Sequence, residues 1–142
     1  MQRPDFTVLL REKKFKATPG RVELLTTLWE QAKPISVFAL AKKLEKSMDE
    51  ATVYRALEAL ASSGIIRRVD LGHGHTHYEF EKSHHHHIVC MDCGVVEDIT
   101  DDAVEKQLTK MTGGSKRFKS IYSHNIEFFG SCNSCLSTNN SN

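Results

Sequence analysis

Four cysteines in two Cys-x-x-Cys motifs, Cys90 with Cys93 and Cys132 with Cys135, carry the strongest chemical signal in the chain. Each short loop can present two thiolates to one metal, and two such loops complete a tetrahedral zinc site with no open position. A closed site of this kind is structural, because a catalytic zinc keeps a place for water. Zinc bound only by the folded chain adds its binding energy to folding, on the order of 10 kcal/mol or more. Redox or unrelated cysteine pairs are the alternative, but they give no reason for the motif to occur twice.

The second signal is a run of four consecutive histidines at 84–87. In an extended segment successive side chains alternate between faces. His84 and His86 then point one way, His85 and His87 the other, so one tract can feed two separate metal sites. Imidazole combined with carboxylate suits borderline divalent metals such as iron, zinc, manganese, nickel or cobalt. A third signal lies in a helix expected over residues 47–63, where Val53, Leu57 and Leu60 recur at helical spacing and must face a core. That leaves Thr52, Tyr54 and Arg55 pointing elsewhere, and a Tyr hydroxyl with an Arg guanidinium suits phosphates or base edges. Lys13, Lys14, Lys16 and Arg21 add positive charge nearby in sequence. Solvated basic surface is the plain alternative for both the histidine run and this helix.

The elements that must position these residues are legible in outline. Helices are expected over residues 5–14 and 19–31, the second with Thr18 as cap, Pro19 in its first turn and a stripe of Val22, Leu25, Leu28 and Trp29. A third helix should follow from Ser36 with Phe38, Ala41 and Leu44 on one side. For the fourth, Ser47-x-x-Glu50 reads as a capping box and Gly64 as the C-terminal stop. A β-branched run at 65–69, a Gly-rich turn at 71–74 and a second run at 76–80 form a hairpin. Helices followed by a hairpin spell a winged helix-turn-helix over residues 1–80. After a linker at 81–83, strands are expected at 84–90, 95–99 and 122–130, with a helix over 102–111, and the polar segment 137–142 should be a disordered tail. The fold class is therefore α+β, and a second unit of under ~60 residues is too small to be comfortable on core burial alone.

Composition bounds the rest. The chain has 142 residues, 39% hydrophobic and 26% charged, which fits a globular protein of one ordinary or two small domains. No apolar run approaches the ~18 residues needed to cross a bilayer, and the N-terminus lacks a signal peptide's apolar core, so the expected location is cytoplasmic with no membrane partner. The net charge of +1 conceals an asymmetry: residues 1–70 carry 13 Lys/Arg against 9 Asp/Glu, residues 71–142 carry 6 against 9. All eight histidines fall in the second part. A basic first part suits a polyanion and an acidic second part suits cations.

Four stretches together resemble the ferric uptake regulator family of bacterial metal-sensing repressors: Lys16-Ala17-Thr18-Pro19-Gly20-Arg21, Ala51-Thr52-Val53-Tyr54-Arg55-Ala56-Leu57, Gly64-Ile65-Ile66, and the string from His84 through Cys90-Met91-Asp92-Cys93-Gly94. His124 also stands eight residues before Cys132, as the family pattern asks. The resemblance runs from about Phe15 to Cys135. It implies a homodimer in which an N-terminal winged helix is followed by a small α/β dimerisation domain, here residues 84–136, with a four-cysteine zinc site. It implies structural zinc on Cys90, Cys93, Cys132 and Cys135, and a regulatory metal on Glu79, His85, His87 and Asp98 at the hinge. A second metal site is implied on His84, His86, Glu105 and His124. Thr52, Tyr54, Arg55, Lys16 and Arg21 are the implied DNA contacts, on a pseudo-palindromic double-stranded operator. Besides structural Zn2+, one further divalent metal per subunit is expected, with Fe2+ favoured and Zn2+ or Mn2+ as alternatives; zinc-responsive or peroxide-sensing repression would be the corresponding variants.

One departure stands out. The family often draws a histidine ligand from the loop before the third helix, but Lys33 and Pro34 occupy those positions. His77, two residues from Glu79 on the same strand face, is the candidate replacement, and His75 shares that face if the strand starts early; ordinary wing residues near phosphate are the alternative. A distant alternative for the whole chain is a zinc hydrolase, since His77-Tyr78-Glu79 followed by Cys90-x-x-Cys93 is similar to the H-x-E…P-C-x-x-C pattern of nucleobase deaminases. Val89 stands where that pattern has proline, and the second cysteine pair would be left without a purpose.

Overall fold

Asp5 accepts hydrogen bonds from the Thr7 and Val8 amides and so starts the first helix, α1 (Phe6–Glu12). Thr18 does the same for α2 (Pro19–Glu30), whose Leu24, Leu25 and Leu28 are buried while Val22 and Trp29 are half-buried. A two-residue strand, β1 (Ile35–Ser36), leads into α3 (Val37–Lys43), capped by the Ser36 hydroxyl. Then come α4 (Glu50–Ser62) and the hairpin strands β2 (Arg67–Asp70) and β3 (Thr76–Glu79). In the second half follow β4 (His86–Cys90), β5 (Val96–Ile99), α5 (Asp102–Gly113), β6 (Glu127–Gly130) and α6 (Asn133–Asn139). This computed structural model describes residues 1–139, and the chain divides into two units, Met1–Ser83 and His84–Asn142.

In the first unit the helices pack Leu10, Leu24, Leu25, Leu28, Leu40 and Leu57 into one core against a small antiparallel sheet of order β1-β3-β2. Val53, Ala56, Leu57 and Leu60 are the buried face of α4, as their spacing requires. Two local expectations are corrected, and one strand is added. Ser47 does not cap α4: its amide and that of Met48 both bond the Leu44 carbonyl in the turn that follows α3, and the cap passes to Asp49, which accepts from Thr52 N at 2.9 Å. Phe38 does not join the core side of α3, because Val37, Leu40, Ala41 and Leu44 already complete that stripe, and its ring is 71% exposed. Strand β1 was too short for any periodicity to reveal and exists by pairing Ile35 and Ser36 with Tyr78 and His77. Gly64 does stop α4, with φ of 76°, a left-handed conformation that glycine adopts without the cost a side chain would bring.

The second unit is a three-stranded sheet of order β5-β4-β6, antiparallel on one side and parallel on the other. Among its described residues only Val89 and Cys90 are buried apolar side chains, and α5 buries none. The strand expected over 84–90 begins at His86, and the one expected over 122–130 shortens to β6. The tail expected to be disordered from Ser137 instead continues α6 through Asn139. There the Ser137 and Thr138 hydroxyls bond carbonyls one turn back, at 2.8 and 2.9 Å. The remainder of that expectation, 140–142, lies outside the described residues.

Candidate functional site

The parallel pairing of β4 with β6 sets Cys90 opposite Gly130, which brings the two Cys-x-x-Cys loops side by side. Gly94, at φ 77°, closes the first loop with a hydrogen bond to the Cys90 carbonyl, and the second is the start of α6. The four Sγ atoms all lie within 4.8 Å of one another, and Cys93 Sγ stands 3.8 Å from Cys132 Sγ. Four sulfurs at ~2.3 Å from a central zinc would stand about 3.8 Å apart, whereas a disulfide needs about 2.05 Å. The cysteines are free thiols rather than disulfides. Cys132 N–H donates to Cys90 Sγ at 3.2 Å, and together with the Cys93 amide it holds the Cys90 thiol down to about 6. Hydrogen bonds to the neighbouring sulfurs, Cys132 first and then Cys93, push the Cys135 thiol up, because they favour its protonated form. The donor set therefore fits a tetrahedral soft-ligand metal.

The alternation expected for the histidine run is realised. His84 and His86 turn to one side, where their Nε2 atoms meet Glu105 from α5 and His124 from the segment before β6. His86 Nε2 donates to Glu105 Oε1 at 2.5 Å; His84 Nε2 is 3.2 Å from the same oxygen and His124 Nε2 3.3 Å from Oε2. That hydrogen bond, with the nearby imidazoles of His84 and His124, holds the Glu105 carboxyl below the usual range. Nδ1 of the buried His86 has no hydrogen-bond partner among the described residues. His85 and His87 turn to the other side, their Nε2 atoms 3.2 Å apart, and His87 is fully buried. Asp98 faces His87 across the β4–β5 ladder, with its Oδ1 3.9 Å from His87 Nε2, beyond direct hydrogen bonding.

Glu79, on β3 of the first unit, is buried and bonded by Arg67, whose Nε and Nη2 lie 2.8 and 2.5 Å from its Oε1. Arg67 Nη1 also reaches Glu81 at 3.0 Å. Sequence reasoning missed Arg67, although a hairpin register that pairs residue 67 with residue 79 would have placed opposite charges face to face. It also missed Glu58, which receives the Tyr78 hydroxyl at 2.7 Å and pairs with Arg68, tying α4 to the wing. His77 Nδ1–H donates to the His75 carbonyl at 3.1 Å, a tautomer that leaves its lone pair on Nε2.

On α4 the Tyr54 ring is 46% exposed and Arg55 is exposed, its Nη2 donating to Thr52 Oγ1 at 3.4 Å; Thr52 in turn donates to Asp49 at 2.6 Å. Lys16 is exposed on the loop before α2. Arg21 bonds the Lys16 carbonyl at 3.0 Å and lies 5.5 Å from the centre of the Phe15 ring, so part of its role is to hold that loop.

Comparison with known proteins gives consistent matches. The model of the ferric uptake regulator family matches residues 12–129. A ferric uptake regulation protein from Bacillus subtilis is 31% identical over 134 residues, covering 89% of this chain and 89% of its own length. The crystal structure of the Vibrio cholerae ferric uptake regulator, described as showing rearrangement of its DNA-binding domains, is 30% identical with a TM-score of 0.69, over 90% of this chain and 100% of that one. A ferric uptake regulator from Pseudomonas aeruginosa, solved with manganese, is 25% identical with a TM-score of 0.76, over 92% and 99%.

Proposed function

This chain belongs to the ferric uptake regulator family, whose members are transcription regulators and not enzymes, and from that premise we propose an iron-responsive, homodimeric repressor of metal-uptake or stress genes. The observation that carries the proposal is the division of one histidine run between two donor sets. His85 and His87 stand beside Asp98 on one face, while His84 and His86 meet Glu105 and His124 on the other.

The residues take distinct parts. Cys90, Cys93, Cys132 and Cys135 hold structural zinc and compensate for a unit with almost no apolar core. Glu79 on one side of the linker and His85, His87 and Asp98 on the other are the regulatory donors, with His77 Nε2 as the further ligand in place of the histidine absent at Lys33 and Pro34. A divalent ion held by these residues would supply a double positive charge for the carboxylate and imidazole donors to share. With their donors so shared, the two units favour one closed arrangement, in which paired α4 helices match successive major grooves of a pseudo-palindromic operator. Tyr54, Arg55 and Thr52 read the groove, while Lys16 and Arg21 meet the backbone.

A partner copy is supported by the apolar surface of the second unit: Val104, Met111, Tyr122, Phe128 and Phe129 are all exposed in the single chain. Zinc as the sensed metal is the second reading, favoured by the three-imidazole, one-carboxylate set of the His124 cluster, which holds zinc more tightly than iron. Anaerobic titration of operator binding against Fe2+, Mn2+ and Zn2+ tests the choice. Half-maximal binding at a free Fe2+ level that leaves Mn2+ and Zn2+ ineffective at their cellular levels supports iron. Activation by Zn2+ alone contradicts it.

A further inference from the structure

A buried carboxylate needs a positive partner whether or not a metal is bound, because an uncompensated charge is costly away from water. Arg67 meets that need for Glu79. Its side chain is 11% exposed and that of Glu79 10%, so the pair is largely shielded from solvent. Two guanidinium nitrogens converge on the single oxygen Oε1, at 2.8 and 2.5 Å, and the third spans to Glu81 at 3.0 Å. The contact is fixed by the β2–β3 register, which sets Arg67 directly opposite Glu79, and by the planar fork of the guanidinium.

The geometry points to Arg67 as an internal cation that competes with a divalent metal for Glu79 and so sets a weak affinity for the regulatory site. This inference rests on the proposed part of Glu79 as a regulatory ligand. The pair of glutamates carries two negative charges, and Arg67 cancels one of them. A metal on Glu79 must then draw on a carboxylate already committed to a guanidinium, with a fixed positive charge held within a few ångströms of the ion. A supporting hydrogen bond to a metal-bound carboxylate would have the opposite effect, since outer-shell donors orient ligands and their loss weakens binding. Competition and support therefore predict opposite signs for one substitution.

The test uses the full chain with its structural zinc and Mn2+ as the probe, by equilibrium competition with a chromophoric chelator. The binding step to follow is the one that Glu79→Gln removes. Arg67→Gln should tighten that step by about tenfold or more, as loss of a charge so close to a divalent ion requires. The metal-free variant should melt below wild type, and Mn2+ should raise its midpoint by more than it raises that of wild type. Arg67→Lys keeps the charge without the fork, should tighten Mn2+ by less than Gln does, and serves if the Gln variant fails to fold. Unchanged or weaker Mn2+ binding in Arg67→Gln, or weaker binding in Arg67→Lys where only that variant folds, with Glu79→Gln still abolishing the step, overturns the competition while leaving the ligand role of Glu79 intact. No effect of Glu79→Gln on any Mn2+ step overturns both.

Discussion

Arg55 and Tyr54 lie on the α4 surface that the buried stripe of Val53, Ala56, Leu57 and Leu60 leaves exposed. Arg55 is additionally steadied by Thr52, which is itself held by the Asp49 cap. Replacing Arg55 with Ala should cost ~1–3 kcal/mol of operator binding and relax specificity at one base position. Zinc content should not change; a gel-shift titration with metal analysis checks both, and unaltered affinity would remove α4 as the reading element. Asp49 makes a pH prediction with a definite sign. The Thr52 hydroxyl and amide hold its carboxyl below the usual range. Its stabilisation is thus present above the unfolded carboxylate value of ~3.9 and is lost as pH falls through the lowered folded value. Asp49→Ala should lower the melting midpoint by a few degrees at neutral pH, and the gap from wild type should close on acidification. A gap that widens in acid contradicts the cap.

At the level of elements, the two units differ in what holds them. The first has a continuous core, and Leu57→Ala at its centre should cost ~2–5 kcal/mol in chemical denaturation. The second has a sheet with the two Cys-x-x-Cys loops gathered at one end and, among the described residues, little apolar surface buried. Cys132→Ser should release zinc and melt that unit while the first retains its helical signal; a variant that stays folded without zinc would show that the staple is dispensable. Much of this was legible beforehand. The spacing in α2 and α4, Thr18 as cap, Gly64 as stop and the period-2 split of four histidines are local rules that tertiary packing did not override. What escaped the sequence was set by competition between neighbours. Ser47 lost the cap because the turn after α3 runs through it and α4 starts only at Glu50, where the Asp49 carboxylate is in place to accept from Thr52. Phe38 lost the core to a better stripe, and the polar residues of α6 followed the helical turn begun at Cys132. Arg67 escaped because its importance lies in a cross-strand partner, visible only once the hairpin register is known.

For the whole molecule, the asymmetry of charge and the family membership point the same way: a basic N-terminal part against DNA and an acidic, ligand-rich part against cations. If phosphate contacts from Lys16, Arg21 and their dimer mates supply much of the affinity, operator binding should fall roughly a thousandfold or more between 50 and 200 mM salt. A shallow salt slope would contradict a phosphate-anchored complex. Reciprocity adds a further requirement, since a metal that tightens DNA binding must itself be bound more tightly in the presence of operator. The most direct measurement is operator affinity of the full chain, purified with zinc, before and after chelation of any labile divalent metal. The account predicts tight binding that collapses on chelation and returns when metal is restored. Equal affinity in both states, with the cysteine-bound zinc retained, would contradict it.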